Sequence, residues 1–342
     1  MFIIKLVRLV VVFLYRIYNH RPILFGFDPT DRCNLHCPTC YKVPRIADQR
    51  MQSVNEVFAI YPGVNQSLEL SDEQIVEFFR KRLREGFIAV FIKGGEPYLR
   101  PELLQKLTRI IPFTAVITSG DLPKGQHFID LQGLFHFVSV DSADPYKHDK
   151  MRGKLGLFRG VENELVLARS RGGFPVVIHV VFDSRNYMET EDIIRHWKNS
   201  GLADGVVFSC MTPNHDVHKK FRLTDDMRRH IVNDLTRMQS MREFEDFVLV
   251  STGAIADMLP EHVHAQTEET CPTIRFSRSY DLQGKPVPRC EFGPGGLCSE
   301  CGCIVTMQFG GLTRWRGWRN LLSDLRVAYV YGKIFLKSYR QK

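Results

Sequence analysis

From residue 23 to about 245 the chain alternates short apolar runs with segments of helical period, and this alternation constrains the fold more than any other feature. The apolar runs at 23–27, 88–92, 114–118, 135–140, 176–182 and 205–210 predict strands. Helical periods fall at 71–86, 101–111, 122–133, 159–172, 188–200 and 224–241. The first of these is well marked: Ser71 and Gln74 form a capping-box pair ahead of Ile75, Phe78, Phe79 and Leu83, which share one face. Strand–helix repeats of this kind imply parallel strands joined by right-handed crossovers. Six of them predict an α/β protein, a partial (β/α)6 TIM barrel with its chemistry at the C-terminal strand ends. With 342 residues, 44% of them apolar and 25% charged, the chain is long enough for that barrel and an appendage, and its composition excludes disorder or a collagenous repeat. The stretch 41–70 is long for one connection and predicts a functional loop or a short helix of its own.

The net charge of +8 sits at the ends. Residues 1–22 carry Lys5, Arg8, Arg16 and Arg21 without an acid, residues 311–342 carry eight cations against Asp324, and the middle nets −3. A nucleic-acid reader would place its basic stripe on the folded domain, so this distribution argues against nucleic acid. On a helix of about 100° per residue, Lys5, Arg8, Arg16 and Asn19 share an arc of about 80° with Val12 among them. Phe2, Ile3, Leu6, Val10, Phe13, Leu14 and Ile17 occupy the other faces. The cations interrupt a run that would need roughly 20 apolar residues to span a bilayer, and no small-residue cleavage site follows. An amphipathic N-terminal helix lying on an anionic membrane surface is the expectation, with a helix packed on its own domain as the alternative. The C-terminal stretch repeats the theme, with Trp315, Trp318, Tyr329, Tyr331 and Tyr339 among Arg and Lys. The expected organisation is an amphipathic helix at 1–22, a barrel at 23–245, a cysteine-containing extension at 246–310 and a basic aromatic segment at 311–342.

Directly after the first strand, Cys33, Cys37 and Cys40 stand in a C-x3-C-x2-C spacing. Three thiolates on one loop suit an iron–sulfur cluster that usually takes four cysteines, which leaves one iron open to a small molecule. Zinc, with His36 as a fourth ligand, is the competing reading.

The ordered series of motifs resembles the radical S-adenosylmethionine enzymes. It consists of CNLHCPTCY at 33–41, Lys93-Gly-Gly-Glu-Pro97 after the second strand, Thr118-Ser-Gly120 after the third, Ser139-Val-Asp141 ending the fourth, and Tyr146-Lys-His148-Asp149-Lys-Met-Arg152-Gly153 beyond it. The resemblance covers about residues 23–245. It implies a [4Fe-4S] cluster on Cys33, Cys37 and Cys40 that binds S-adenosylmethionine and cleaves it to methionine and a 5′-deoxyadenosyl radical. It assigns Gly94, Gly95 and Glu96 to the methionine amino group, with glycine allowing close backbone approach. Ser139 and Asp141 are expected at the ribose hydroxyls, Ser119 at a position often occupied by Asn, and Arg152 at the methionine carboxylate. The residue before the third cysteine is commonly aromatic in the family and is Thr39 here, so Tyr41 is the candidate for covering the adenine. No catalytic residue toward a substrate is assigned.

Past residue 250 lie Cys271, Cys290, Cys298, Cys301 and Cys303, with a hairpin expected around Gly284. This group is similar to the SPASM/twitch-like extensions of radical S-adenosylmethionine enzymes, without their fuller seven-cysteine pattern. It implies a second [4Fe-4S] cluster on Cys271, Cys290, Cys298 and either Cys301 or Cys303; a zinc site and unligated thiols remain open. Cys210 is expected in the core, and His262 and His264 are assigned no role.

The resemblance also implies a low-potential electron donor, ferredoxin or flavodoxin, and a reducing cytoplasm; the termini add peripheral association at the inner face of the membrane as an expectation. The basic apolar termini favour a membrane-lipid or isoprenoid substrate, and the layout is similar to that of hopanoid-adenosylating radical S-adenosylmethionine enzymes. A peptide or protein substrate is the alternative enzyme reading. A membrane iron–sulfur or zinc protein is the non-enzyme one.

Overall fold

In the computed structural model, which describes residues 12, 15, 16, 18–42, 68–128, 133–313 and 317–340, seven parallel strands form one sheet in the order β6-β5-β4-β3-β2-β1-β7. The strands are β1 (Leu24–Phe27), β2 (Ala89–Ile92), β3 (Phe113–Thr118), β4 (Leu134–Ser139), β5 (Val176–Phe182), β6 (Gly205–Cys210) and β7 (Ser277–Tyr280). The first six lie within a residue or two of the expected runs. β7 was not foreseen: it comes from the C-terminal extension and pairs with β1, Leu24 opposite Ser277 and Phe27 opposite Tyr280.

Six helices accompany the first six strands: α1 (Asp72–Arg84), α2 (Pro101–Leu107), α3 (Pro145–Arg152), α4 (Leu157–Ser170), α5 (Thr190–Ser200) and α6 (Asp225–Ser240). The capping box that starts α1 is formed, with both Ser71 and Gln74 side chains bonded. The helix expected over 122–133 is not there in its described part. Pro123 and Gly125, the latter at φ +80°, turn the chain instead, and Gln126 N–H donates to Pro123 O at 2.9 Å; residues 129–132 lie outside the described residues, as do 43–67 of the long loop.

Alternate strand residues face opposite sides. Outward, Phe25 meets Phe78, Phe79 and Phe87 edge-on, and this cluster seats α1 on the sheet. Inward, many positions are small: Gly26, Ala89, Ala115, Ser277 and Ser279. A closed barrel fills that space with layers of branched side chains. Here it stays hollow, and one continuous cavity of about 1730 Å³ runs from the C-terminal strand ends to their N-terminal ends.

The extension closes the barrel. α7 (Thr252–Ala256), α8 (Pro260–His264) and α9 (Pro272–Phe276) lead into β7, and α10 (Ile304–Thr313) fills the space between β6 and β7. Gly302 is required at this junction, because a Cβ there would lie 1.9 Å from Cys210 O, and Cys210 N–H donates to Gly302 O at 2.9 Å. The hairpin after β7 turns at Gly284, φ +70°, with Tyr280 bridged to Pro286. Last, α11 (Trp318–Arg340) crosses the N-terminal strand ends, where Phe335 stacks on Phe113 at 3.8 Å.

Of the expected N-terminal helix, residues 12, 15, 16 and 18 are helical and 1–11, 13, 14 and 17 lie outside the described residues. Arg16 turns toward the protein: its guanidinium donates to Pro22 O and Glu85 O, both at 2.6 Å, and lies over the Phe87 ring. Tyr15 and Tyr18 are exposed. None of the helices described is long and apolar enough to cross a membrane.

Candidate active site

Cys33, Cys37 and Cys40 line the top of the hollow. The loop that carries them is held from below by β2. Gly95 N–H donates to Thr30 O at 2.9 Å and Glu96 N–H to Arg32 O at 2.8 Å. The two glycines serve that contact: a Cβ at Gly95 would sit 1.9 Å from Arg32 O, and one at Gly94 (φ +112°) 2.6 Å from Thr30 O. The sequence reading gives these glycines a close approach to a ligand; the close approach in this structure is to the backbone of the cysteine loop. Gly153, at the end of α3, is likewise pressed against His36 O, and Cys37 Sγ donates to Arg152 O at 3.5 Å.

Burial, and the charge of neighbouring thiols, push Cys40 up to about 12 and Cys33 higher still; burial also raises Cys37. Alone these groups are thiols at neutral pH. A metal centre supplies the positive charge that makes buried thiols thiolates, so this donor set fits an iron–sulfur cluster. The His36 side chain is exposed and does not line the hollow that the three cysteines line.

All eight residues assigned to S-adenosylmethionine line the same hollow: Tyr41, Gly94, Gly95, Glu96, Ser119, Ser139, Asp141 and Arg152. Five of them are already engaged with protein partners: Tyr41, Glu96, Ser119, Asp141 and Arg152. Glu96 accepts from Tyr98 N–H, Thr118 Oγ1, Ser119 N–H and Ser119 Oγ at 2.7–3.1 Å, tying β2 to β3. Arg152 makes a two-pronged pair with Asp141, 2.7 and 2.9 Å, and Asp141 also accepts from Val181 N–H. Burial favours the neutral carboxyl of Asp141, and the guanidinium overrides it and lowers its pKa. Tyr41 is fixed by Asn214 and His215 at its carbonyl and packs edge-on against Phe292 of the extension.

Several participants carried no legible signal. Asp28 on the loop after β1 accepts from Lys93 at 2.9 Å and pairs with Lys42, which also reaches Asp31, so two lysines and two aspartates balance beneath Tyr41. The alternation of β2 does put Lys93 on the inner face, and that was the available clue. His179 on β5 shares a hydrogen bond of 2.8 Å with Ser209 on β6, and burial lowers its pKa to about 4. His148 and Asp149 in the Tyr146–Gly153 motif are structural: His148 accepts from Asp141 N–H, and Asp149 accepts from Gly156 and Phe158 N–H at the start of α4.

The five tail cysteines, Cys271, Cys290, Cys298, Cys301 and Cys303, line one small second cavity. Burial lifts Cys290 to about 12 and Cys301 to about 11, and Cys303 is raised further by burial and Glu291. Five thiols in one nest, Cys271, Cys301 and Cys303 buried and Cys290 and Cys298 half-buried, fit a second cluster by the same charge argument. Among the described residues no three ligating side chains converge on a single ion position. Cys303 stands apart, since it donates to Glu291 at 3.1 Å and also lines the large hollow. Cys210 is buried at the end of β6, as expected of a core cysteine. His264 has a carboxylate partner after all, Asp225 from α6, and is a surface contact.

With this geometry in hand, the comparisons are consistent. The Radical SAM superfamily pattern matches residues 27–240, and the chain belongs to that superfamily of enzymes, which use a [4Fe-4S] cluster with S-adenosylmethionine. It is 26% identical over 251 residues to the antilisterial bacteriocin subtilosin biosynthesis protein AlbA of Bacillus subtilis, covering 70% of this chain and 49% of that protein. It is 29% identical over 182 residues to the GTP 3′,8-cyclase of Aquifex aeolicus, covering 51% of this chain and 52% of the cyclase. The chain thus spans about half the length of these curated relatives. Its fold is similar to that of Streptococcus suis SuiB bound to its precursor peptide SuiA, with a TM-score of 0.56 at 15% identity over 92% of this chain and 73% of that one.

Proposed function

We propose that this chain uses the 5′-deoxyadenosyl radical to modify a peptide or protein substrate presented at the mouth of the hollow, between a cluster on Cys33, Cys37 and Cys40 and a second one in the extension. The observation that carries this reading is that Glu291, Phe292 and Cys303 of the extension line the same hollow as the three loop cysteines. A substrate there borders both centres. The substrate class is supported by relatives named for peptide work: AlbA, the sporulation killing factor maturation protein SkfB of Bacillus subtilis, and a PqqA peptide cyclase. They favour the peptide alternative over the lipid substrate that the termini suggested.

Cys33, Cys37 and Cys40 would hold the [4Fe-4S] cluster, which when bound would supply the electron for reductive cleavage of S-adenosylmethionine. The chain's own part is positioning and exclusion of water. The walls for S-adenosylmethionine are Tyr41, Gly94, Gly95, Glu96, Ser119, Ser139, Asp141 and Arg152, with Glu96 acting through Ser119, which it orients by two hydrogen bonds. Cys271, Cys290, Cys298 and Cys301 are the ligands of the second cluster. Cys301 is preferred over Cys303 as the fourth because its thiol faces Cys271 and Thr306, while that of Cys303 faces Glu291. Electrons come from ferredoxin or flavodoxin.

One observation favours a lipid or isoprenoid instead. The middle of the hollow is walled by Phe91, Ala115, Ile117, Phe137, Val181 and Val207. A main chain threaded there would leave peptide groups unpaired, at roughly 1–3 kcal/mol each, whereas an alkyl chain has none. The test is anaerobic reconstitution with dithionite and S-adenosylmethionine, offering a short peptide encoded beside the gene or a membrane-lipid extract, with mass spectrometry of both. A mass change in the peptide supports the proposal. A change confined to the lipid supports the second reading, and absence of 5′-deoxyadenosine with either substrate refutes both.

A further inference from the structure

The helix α11 has two different apolar faces. Val327, Val330 and Ile334 are buried against the barrel. On another face, Trp318, Leu322, Leu325 and Tyr329 are 71%, 64%, 55% and 66% exposed. At about 100° per residue these four fall within an arc of about 60°. Single exposed apolar residues are ordinary, but a contiguous stripe of large ones marks a binding surface.

Charge selects the occupant. Arg319 and Lys333 are exposed along the flank of the stripe, and Asp324, the one acid on the helix, is buried. Arg326 and Lys337 are turned back onto the barrel, pairing with Asp246 and Asp204. The outward face therefore offers indole, phenol, leucine and cations with no carboxylate. A second copy of the chain meeting this face would set cation against cation. An anionic bilayer meets both features, because headgroups pair with the cations while the leucines and rings enter the acyl boundary. Tryptophan and tyrosine favour that level, and α11 is not apolar enough to pass through it.

The position of the stripe adds a consequence. Ala328 and Gly332, which line the hollow, sit on α11 between its buried face and the stripe, and Leu336, which also lines it, continues the stripe's own arc two turns beyond Tyr329. A Cβ on Gly332 would meet nothing within 4 Å. The far side of this rear opening is formed by Val12, Leu83, Arg84 and Arg109, the two arginines exposed. We propose that α11 is an interfacial anchor whose Trp318–Leu322–Leu325–Tyr329 stripe inserts into an anionic lipid bilayer, setting the rear opening of the hollow at the membrane surface. This holds whichever substrate the front of the hollow takes.

The test is co-sedimentation of the full chain, clusters reconstituted, with vesicles of pure phosphatidylcholine and of phosphatidylcholine mixed with phosphatidylglycerol. Binding is expected to the mixed vesicles, at least tenfold weaker to the neutral ones, and partly lost as salt screens the charges. The variant W318S/L322S/L325S/Y329S is expected to lose at least tenfold in partitioning, and R319E/K333E to lose it on mixed vesicles alone. Both should cleave S-adenosylmethionine at the wild-type rate, which verifies their folding. Three results would overturn the proposal: no binding of the intact chain to mixed vesicles, undiminished binding of the serine variant, or a wild-type dimer in solution that the serine variant dissociates.

Discussion

Replacing Gly95 by alanine tests how the cysteine loop is held. The added methyl would start 1.9 Å from Arg32 O, and a Cβ does not approach another heavy atom within 3.0 Å, so the loop must retreat by more than an ångström. That carbonyl accepts from Glu96 N–H at 2.8 Å, and the adjacent Thr30 O from Gly95 N–H at 2.9 Å. Both bonds lengthen past their useful range. Each buried bond broken costs about 1–2 kcal/mol, for a total of about 2–4 kcal/mol charged to the loop. Since 1.4 kcal/mol is a factor of ten, cluster retention should weaken by roughly 30- to 1000-fold. The sheet below is untouched, so the melting temperature should fall only a few degrees. The assays are iron per chain, 5′-deoxyadenosine yield and a thermal melt followed by circular dichroism. Gly160→Ala in α4, where a Cβ meets nothing within 4 Å, is the matched control and should be neutral or stabilising by about 0.5–1 kcal/mol. If G95A keeps full iron and full cleavage, the loop is not seated on β2 in the way described.

Other outcomes follow from the same structure. Replacing Cys33, Cys37 and Cys40 together by alanine should abolish cleavage yet leave about four iron atoms per chain and a four-iron absorption band; a colourless, zinc-containing protein would refute the second cluster. Ala115→Phe should fill the middle of the hollow, leaving cleavage of S-adenosylmethionine within about threefold of wild type. It should cut the fluorescence enhancement of anilinonaphthalene sulfonate, a probe of open apolar surface, and unchanged enhancement would show that the probe binds elsewhere. His136, buried against Tyr98 at 2.7 Å, has its pKa lowered to about 3 by burial. The unfolded chain takes up that proton near pH 6.5 and the folded chain does not, so stability is full above pH 6.5 and falls as pH drops toward 3. Between pH 6.5 and 5 the loss is about 1.6 kcal/mol, and His136→Gln should lose that much less in urea melts over the same interval.

What was legible in the sequence was local. The six barrel strands follow from short β-branched and aromatic runs, and α1 from a capping box within four residues. The residues that the resemblance assigns to S-adenosylmethionine were legible because most of them follow a strand end, where one strand–turn unit carries the whole motif; Arg152, at the end of α3, was read from its motif alone. The hidden parts depend on contacts between distant segments. β7 reads SRSY and has no strand signature; it is a strand because β1 has an open edge beside it. Lys93, Asp28 and Lys42 come together only once β1 and β2 are paired. The 122–133 error has a plain cause: its apolar spacing suited a helix, but Gly125, at φ +80°, takes the chain out of the helical region within the expected first turn. The stripe on α11 was visible as aromatic and basic composition, and which face points outward waited on the packing of Val327, Val330 and Ile334.

The pairing of β1 with β7 also sets a clock on the making of the protein. β1 is flanked on both sides in the finished sheet, yet one of its two neighbours is encoded some 250 residues downstream, from Phe27 to Ser277. At roughly 5–20 residues per second of synthesis, that edge stays uncovered for some 10–50 s. During that interval the nascent chain presents an unpaired edge bearing Phe25 and Phe27, a template for pairing with other chains. The hollow is likewise open to its apolar walls until α10 and α11 leave the ribosome. Yield of soluble protein should therefore respond to chaperone supply and translation rate more than to the stability of the finished fold, and C-terminal truncations before residue 277 should aggregate even though every cysteine of the first loop is present.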